Sequence, residues 1–255
     1  MKNAIEFQNV RKQFDHAKDN AVDHVSFIIN EGEFITILGS SGCGKTTLLK
    51  LVNRLYEPDE GKIILFGENI KEVDVIQVRR RIGYVIQQVG LFPHMTIAEN
   101  IATVPKLLKW DREKIEARVD ELLNLVGLPP KEFKKRYPNQ LSGGQQQRIG
   151  LARALAVDPK IMLLDEPFGA IDSINRLKLQ DELLQIHGGL KKTFLFVTHD
   201  IEEAFKLGTR IIIMNEGKIV QFDTPKNIIE NPADGFVESL ILSARKKEKF
   251  WEKFA

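Results

Sequence analysis

The chain has one cysteine, Cys43, among its 255 residues. A single thiol can form neither an internal disulfide nor a multi-cysteine zinc site, and it fits a reducing compartment. An excess of either charge is also missing: 37 Lys and Arg face 35 Asp and Glu, a net charge of +2. Duplex-binding proteins ordinarily carry a basic excess that neutralises phosphates, so this balance argues against nucleic acid as a partner. No run approaches the roughly 18 to 20 apolar residues that a membrane span needs, and Met1-Lys2-Asn3-Ala4-Ile5-Glu6 leads into no signal-peptide core. The chain is expected to stay in the cytoplasm. Internal repeats and low-complexity linkers are absent as well. With 43% hydrophobic and 28% charged residues the composition is that of a globular protein, which sets aside disordered and fibrous classes.

The first 90 or so residues read as β structure with one helix. Ile5, Phe7 and Val10 alternate with polar residues, and Val25-Ser26-Phe27-Ile28-Ile29 runs to the turn signal Asn30-Glu31-Gly32, so two antiparallel strands are expected. Phe34-Ile35-Thr36-Ile37-Leu38 is apolar on both faces, as a strand covered on both sides is. A glycine-rich loop follows, then Leu48, Leu51, Val52 and Leu55 at helical spacing, then the strand Lys62 to Phe66. From about 94 to 158 the pattern turns helical. Ile115, Val119, Leu122, Leu123 and Val126 form one stripe, with Asp111 as N-cap and Gly127 with Pro129-Pro130 as the stop. Short apolar strands return at Ile161 to Leu164, Phe194 to Val197 and Ile211 to Met214, with a helix from Leu177 to Ile186 between the first two. Strands alternating with helices imply a parallel α/β sheet. Asn215-Glu216-Gly217-Lys218 predicts a hairpin into Ile219-Val220-Gln221-Phe222, and the C-terminus reads as a charged helix.

Three stretches carry chemistry. Gly39-Ser40-Ser41-Gly42-Cys43-Gly44-Lys45-Thr46 fits G-x-x-x-x-G-K-[ST] between a buried strand and a helix. Its glycines let backbone N–H groups point at a phosphate, with the helix N-terminus behind them. Lys45 would reach the β and γ phosphates of a nucleotide and Thr46 would hold Mg²⁺; Cys43 sits at a variable position and reads as a small filler. Secondly, Ile161-Met162-Leu163-Leu164-Asp165-Glu166 delivers two carboxylates to a sheet edge, Asp165 for the Mg²⁺ shell and Glu166 as general base for water. Phe194-Leu195-Phe196-Val197-Thr198-His199 ends in the same way on a histidine; His16, His24, His94 and His187 read as structural. Thirdly, Leu141-Ser142-Gly143-Gly144-Gln145 puts a hydroxyl and backbone donors at a helix start, a second anion cradle.

Over essentially its whole length the chain resembles the ATP-binding subunits of ATP-binding cassette (ABC) transporters. The resemblance implies an α/β fold, a P-loop NTPase RecA-like core with an antiparallel β subdomain (about 1–90 and 159–242), an α-helical subdomain (about 91–158) and a charged C-terminal helix (243–255). It makes Gly39, Ser40, Ser41, Gly42, Cys43, Gly44, Lys45, Thr46 and Thr47 the Walker A contact set for ATP, and Asp165 the Walker B carboxylate. Glu166 then becomes the catalytic glutamate, and Gln87 the Q-loop residue near Mg²⁺ and water. His199 becomes the switch histidine, and Ala170-Ile171-Asp172 the D-loop. Phe14 is placed like the aromatic that stacks on adenine, usually a tyrosine. Ser142, Gly143, Gly144 and Gln145 would close over ATP held by a second copy, so that binding closes a homodimer and hydrolysis reopens it.

Permease subunits in the membrane are the implied partners, with an extracytoplasmic substrate-binding protein beyond them and a peripheral place on the cytoplasmic side. The segment Val89 to Met95 would grip the permease, although Leu91, Phe92 and Met95 also read as plain core residues. The stretches Leu91 to Pro105 and Asp165 to Asp172 resemble importers of quaternary amines such as glycine betaine, carnitine and choline. Importers of amino acids or other polar solutes stay open beside them. Many members of that group continue into a cystathionine-β-synthase-type pair, so sensing of ionic strength through such a pair is not expected of residues 1–255. The basic, aromatic tail Ser243 to Phe254 reads as a solvated amphipathic helix, or as a dock for lipid or permease. Two further classes are weighed: a soluble ABC ATPase acting on nucleic acid or ribosomes, disfavoured by the charge balance, and a small-molecule kinase, disfavoured by the signature and by Glu166 with His199.

Overall fold

The computed structural model describes residues 2–15, 17–169 and 171–252, with side chains described up to residue 246. His16, Ala170 of the expected D-loop and most of the aromatic tail's side chains lie outside the described residues. In chain order the elements begin with strands β1 (Asn3–Lys12), β2 (Val22–Asn30) and β3 (Phe34–Gly39) and helix α1 (Lys45–Val52). Next come β4 (Glu60–Leu65), β5 (Glu68–Asn69), α2 (Val75–Arg80) and β6 (Ile82–Val85). Helices α3 (Ile97–Leu107), α4 (Arg112–Leu125) and α5 (Pro130–Phe133), a 3₁₀ turn at Pro138–Gln140 and α6 (Gly143–Leu155) follow. The remainder is β7 (Ile161–Asp165), α7 (Ser173–Leu190), β8 (Thr193–Thr198), α8 (Ile201–Leu207), β9 (Arg210–Asn215), β10 (Lys218–Asp223), α9 (Pro225–Glu230) and α10 (Phe236–Glu252).

These elements divide into two compact units, residues 1–78 with 193–255, and residues 79–192. In the first unit β1 pairs antiparallel with β2 and β4, and stacking of Phe7 on Phe27, centroids 4.5 Å apart, ties β1 to β2. The second sheet of this unit has β3 between β8 and β9, parallel to both, with β10 antiparallel to β9. Strands β3 and β8 are buried along their whole length, which is why they read as unbroken apolar runs. The turn between β9 and β10 has Glu216 at φ 47° and Gly217 at φ 77°, the two positive values that a two-residue hairpin of this twist requires. Leu38, Ala204, Ile211, Ile213 and Ile228 pack with Val237 and Ile241, so α10 is anchored on one apolar face.

In the second unit β6 and β7 run parallel, and α4 buries Ile115, Val119, Leu122 and Leu123 as its stripe predicts. Two expectations need correction. Leu55 is not in α1: the helix ends at Val52, Arg54 takes φ 49°, and Leu55 turns outward with its N–H donating to the Lys50 carbonyl. The first 90 residues hold a second helix, α2, because the Asp74 carboxylate accepts from the N–H groups of Ile76 and Gln77 and so starts a turn of weak apolar period. Asp111 is the N-cap residue of α4 as expected, in an extended conformation and without a side-chain capping bond.

Candidate functional site

In the first unit, β3 runs into the loop 39–44, and α1 starts at Lys45 with Gly44 at its N-cap. Gly44 has φ 104°, and a Cβ there would drive into the Ala21 carbonyl oxygen, so only glycine fits both the conformation and the space. No side chain caps this helix start. A helix start without a side-chain cap is the kind of backbone terminus at which anions bind. Lys45 is only 5% exposed, and its ammonium donates to the carbonyls of Gly39 (2.9 Å) and Ser40 (2.8 Å), folded back across the loop. Ser40, Ser41 and Gly42 are exposed, while Thr46 and Thr47 are half-buried on the first helical turn. Cys43 is buried, and burial pushes its thiol above the ordinary cysteine value. The Cys43 carbonyl accepts from Gly217 N–H, which ties the loop to the β9–β10 hairpin.

Leu38 of β3 pairs with Thr198 of β8, so the phosphate-type loop and His199 leave neighbouring parallel strands at the same end. In open α/β sheets that carboxyl end is where ligands sit. His199 is exposed, and its backbone is held from both sides. Thr198 Oγ1 donates to the buried Glu203 carboxylate at 2.5 Å and accepts from Asp200 N–H, while Asp200 caps α8 through Glu203 N–H. Phe14 is 37% exposed, edge-on to Tyr56 with centroids 5.0 Å apart.

In the second unit Val85 of β6 pairs with Leu164 of β7, and Gln87 and Glu166 each lie two residues beyond that pair. The structure brings them together: Gln87 Nε2 donates to Glu166 Oε2 at 3.2 Å. Glu166 stands at φ 44°, a left-handed conformation that costs a non-glycine residue roughly 1 kcal/mol or more and that clusters at functional sites. Asp165 is 6% exposed and accepts from the Tyr84 hydroxyl at 3.3 Å.

Ser142 caps α6 reciprocally: its Oγ accepts from Gln145 N–H, and Gln145 Oε1 accepts from Ser142 N–H. Gln145 therefore shapes the helix start that Gly143 and Gly144 open. Asp172 caps α7 by accepting from the Asn175 side chain and backbone N–H, and the Asn175 side chain holds its carboxyl below the usual range. The signature and Asp172 line one cleft of about 460 Å³.

Three residues of this region escaped the sequence reading. Tyr84 lies inside β6, where the sequence pattern gives it no signal of its own. Asn100, fully buried on α3, accepts from Phe92 N–H and donates to the carbonyls of Phe92, Met95 and Thr96, and so pins the loop after Gln87. Arg153 of α6 donates to the carbonyls of Val89 (2.6 Å) and Gly90 (2.8 Å), and burial lowers its affinity for its proton. The signal available was a polar residue inside an apolar helical stripe, Ile97, Asn100, Ile101. Phe92 is 40% exposed, so the plain core reading does not hold for it, whereas Leu91 and Met95 are half-buried.

Comparison with known proteins agrees with this geometry. The family model described as ABC transporter matches residues 22–169. The chain is 54% identical over 237 residues to the choline transport ATP-binding protein OpuBA of Bacillus subtilis, covering 93% of this chain and 62% of that protein. It is 49% identical over 233 residues to the glycine betaine uptake system ATP-binding protein YehX of Escherichia coli, covering 91% and 75%. The chain spans about three fifths of the length of the first curated relatives it matches. A solved dimeric ATP-binding cassette in a post-hydrolysis state, bound to ADP and Pi, superposes with a TM-score of 0.77 at 35% identity, covering 87% of this chain and 98% of that one. With its matched residues running from β2 through the Walker-type loop, the signature and Glu166, the chain belongs to the ABC transporter family.

Proposed function

We propose that this chain is the ATP-hydrolysing subunit of an importer of small quaternary amines, working as a pair of cassettes on a membrane permease. The observation that carries the nucleotide reading is Lys45, a buried ammonium held by two backbone carbonyls at the mouth of an uncapped helix. Phosphate oxygens are stronger partners for that ammonium than neutral carbonyls. On binding, Lys45 turns to the β and γ phosphates, the N–H groups from Gly42 to Thr47 line the phosphates, and Phe14 offers its ring to the adenine.

Glu166 takes the proton of the attacking water, Gln87 holds that carboxylate in place, and His199 donates to the γ-phosphate. The hydroxyl of Thr46, the carboxylate of Asp165 and the amide oxygen of Gln87 are the hard donors that Mg²⁺ accepts. Bound there, Mg²⁺ supplies neutralisation of the phosphate charge.

Ser142, Gly143, Gly144 and Gln145, with Asp172, close over ATP held by a second copy. The exposed Phe92, on a loop pinned by Asn100 and Arg153, meets the permease. Among the described residues no helix is long and apolar enough to cross a membrane. The chain sits peripherally on the cytoplasmic side, where the permease meets it. An extracytoplasmic binding protein delivers the solute, and no step calls for nucleic acid. The relatives' names, choline transport and glycine betaine uptake, support the solute class. Uptake of labelled glycine betaine, carnitine and choline by the chain assembled with its permease and binding protein tests the reading. ATP-dependent uptake of these amines that outpaces amino acids is expected; uptake of amino acids alone would overturn the solute class.

A further inference from the structure

Residues 198–203 are tied together more closely than a helix start requires. In an ordinary capping box the carboxylate three residues into the helix reaches back to the N–H of the cap. Asp200 caps α8 by accepting from Glu203 N–H at 3.2 Å, but the Asp200 N–H donates to Thr198 Oγ1, at 3.0 Å. The Thr198 hydroxyl then donates to Glu203 Oε2 at 2.5 Å. One hydroxyl is thus inserted into the box, and the resulting ring of three bonds runs through the residues on both sides of His199. Thr198 and Glu203 are buried, whereas His199 itself is exposed at the sheet's carboxyl end.

The ring is fixed in turn to the strand that carries the phosphate loop. Thr36 Oγ1 of β3 donates to the Ala204 carbonyl at 3.0 Å, one residue beyond Glu203. Gly208 leaves room for that hydroxyl, since a Cβ there would lie 2.5 Å from Thr36 Oγ1. Strand β3 runs on into the loop 39–44, so one strand sets the phosphate loop and, through α8, the backbone from which His199 projects. Capping by Asp200 alone would call for neither threonine.

We propose that Glu203 is a positioning residue for ATP hydrolysis: through Thr198 it holds the backbone of residues 198–200 so that His199 meets the γ-phosphate. Glu203 touches no reacting atom itself. The inference rests on the reading of His199 as the donor to that phosphate, and the experiment separates the two.

Single-turnover hydrolysis of γ-labelled ATP by the full chain, with nucleotide affinity measured in parallel, tests it. Glu203→Leu and Thr198→Val should each slow hydrolysis about tenfold and leave ATP affinity within about twofold, because a displaced donor is missed chiefly in the transition state. Thr198→Ser keeps the hydroxyl and should recover most of the rate. His199→Ala should lose more, and Glu203→Leu added to it should cost nothing further, since residues that act as a unit are not additive. Should Glu203→Leu not fold, Thr198→Val carries the same double-variant cycle. Full rates in Glu203→Leu and Thr198→Val beside a disabled His199→Ala, or losses that multiply in the double variant, would overturn the positioning role alone. An unchanged rate in His199→Ala would overturn the role of His199 and the positioning role with it.

Discussion

Glu166, the general base of the proposed mechanism, stands in a conformation that costs a non-glycine residue. At φ 44° an alanine keeps the left-handed penalty and a glycine does not. Glu166→Gly should therefore be more stable than Glu166→Ala by about 1 kcal/mol, the reverse of the usual order in regular structure, and denaturant midpoints measure it. Both variants, and the isosteric Glu166→Gln, should lose hydrolysis by roughly 10² to 10⁴-fold. Glu166→Gln should still bind ATP, as phosphate-release and nucleotide-binding assays together would register. Cys43 makes the opposite case, a residue in the right place with the wrong environment for reactivity. Its thiol is buried and pushed up, so little thiolate exists near neutral pH. Iodoacetamide should label it slowly in the native chain and readily after unfolding, and mass spectrometry follows the difference.

At the scale of elements, helix starts and the loop after Gln87 are held by side chains rather than by packing alone. Asn100 replaces a hydrophobe at a buried position of α3 and serves four backbone groups of residues 92–96. Asn100→Leu leaves those groups unpaired and should destabilise by about 2–4 kcal/mol in chemical denaturation. Phe92→Asp, at an exposed site, should leave the denaturation midpoint within about 0.5 kcal/mol, yet uncouple uptake from ATP hydrolysis in the assembled transporter.

The caps of α3 and α7 also titrate. Thr96 N–H holds the Glu99 carboxyl below its ordinary value, and the Asn175 side chain does the same for Asp172. With folded values depressed, their stabilisation is present above the unfolded carboxylate range and is lost as pH falls through the folded values. Denaturant midpoints should therefore fall on acidification below about pH 4 and hold near neutrality. Strands β3 and β8 are legible in the sequence as unbroken apolar runs because both their faces are buried, and α4 because its buried stripe follows the helical period. The end of α1 was not, since Arg54 leaves the helical conformation for one that no apolar spacing records.

For the molecule as a whole, the signature lies in a cleft with Asp172, while Lys45 and His199 emerge at one edge of the first unit's parallel sheet. Under the proposed mechanism ATP is part of an interface between two copies. ATP with Glu166→Gln should thus shift the chain from monomer to dimer in light scattering, and Lys45→Ala should prevent that shift. A chain that stays monomeric in both would count against the paired cassette.

The sequence by itself determined the strand–loop–helix phosphate motif, the acid-tipped strand, the signature and the family, because each is a local pattern of residue types with its own mechanism. Only the tertiary structure decided which polar residues hold the machinery. Tyr84 meets Asp165, and Arg153 reaches the carbonyls of Val89 and Gly90, both through neighbours distant in the chain. A side chain's partner depends on what other elements bring beside it, and local sequence spacing carries no record of that.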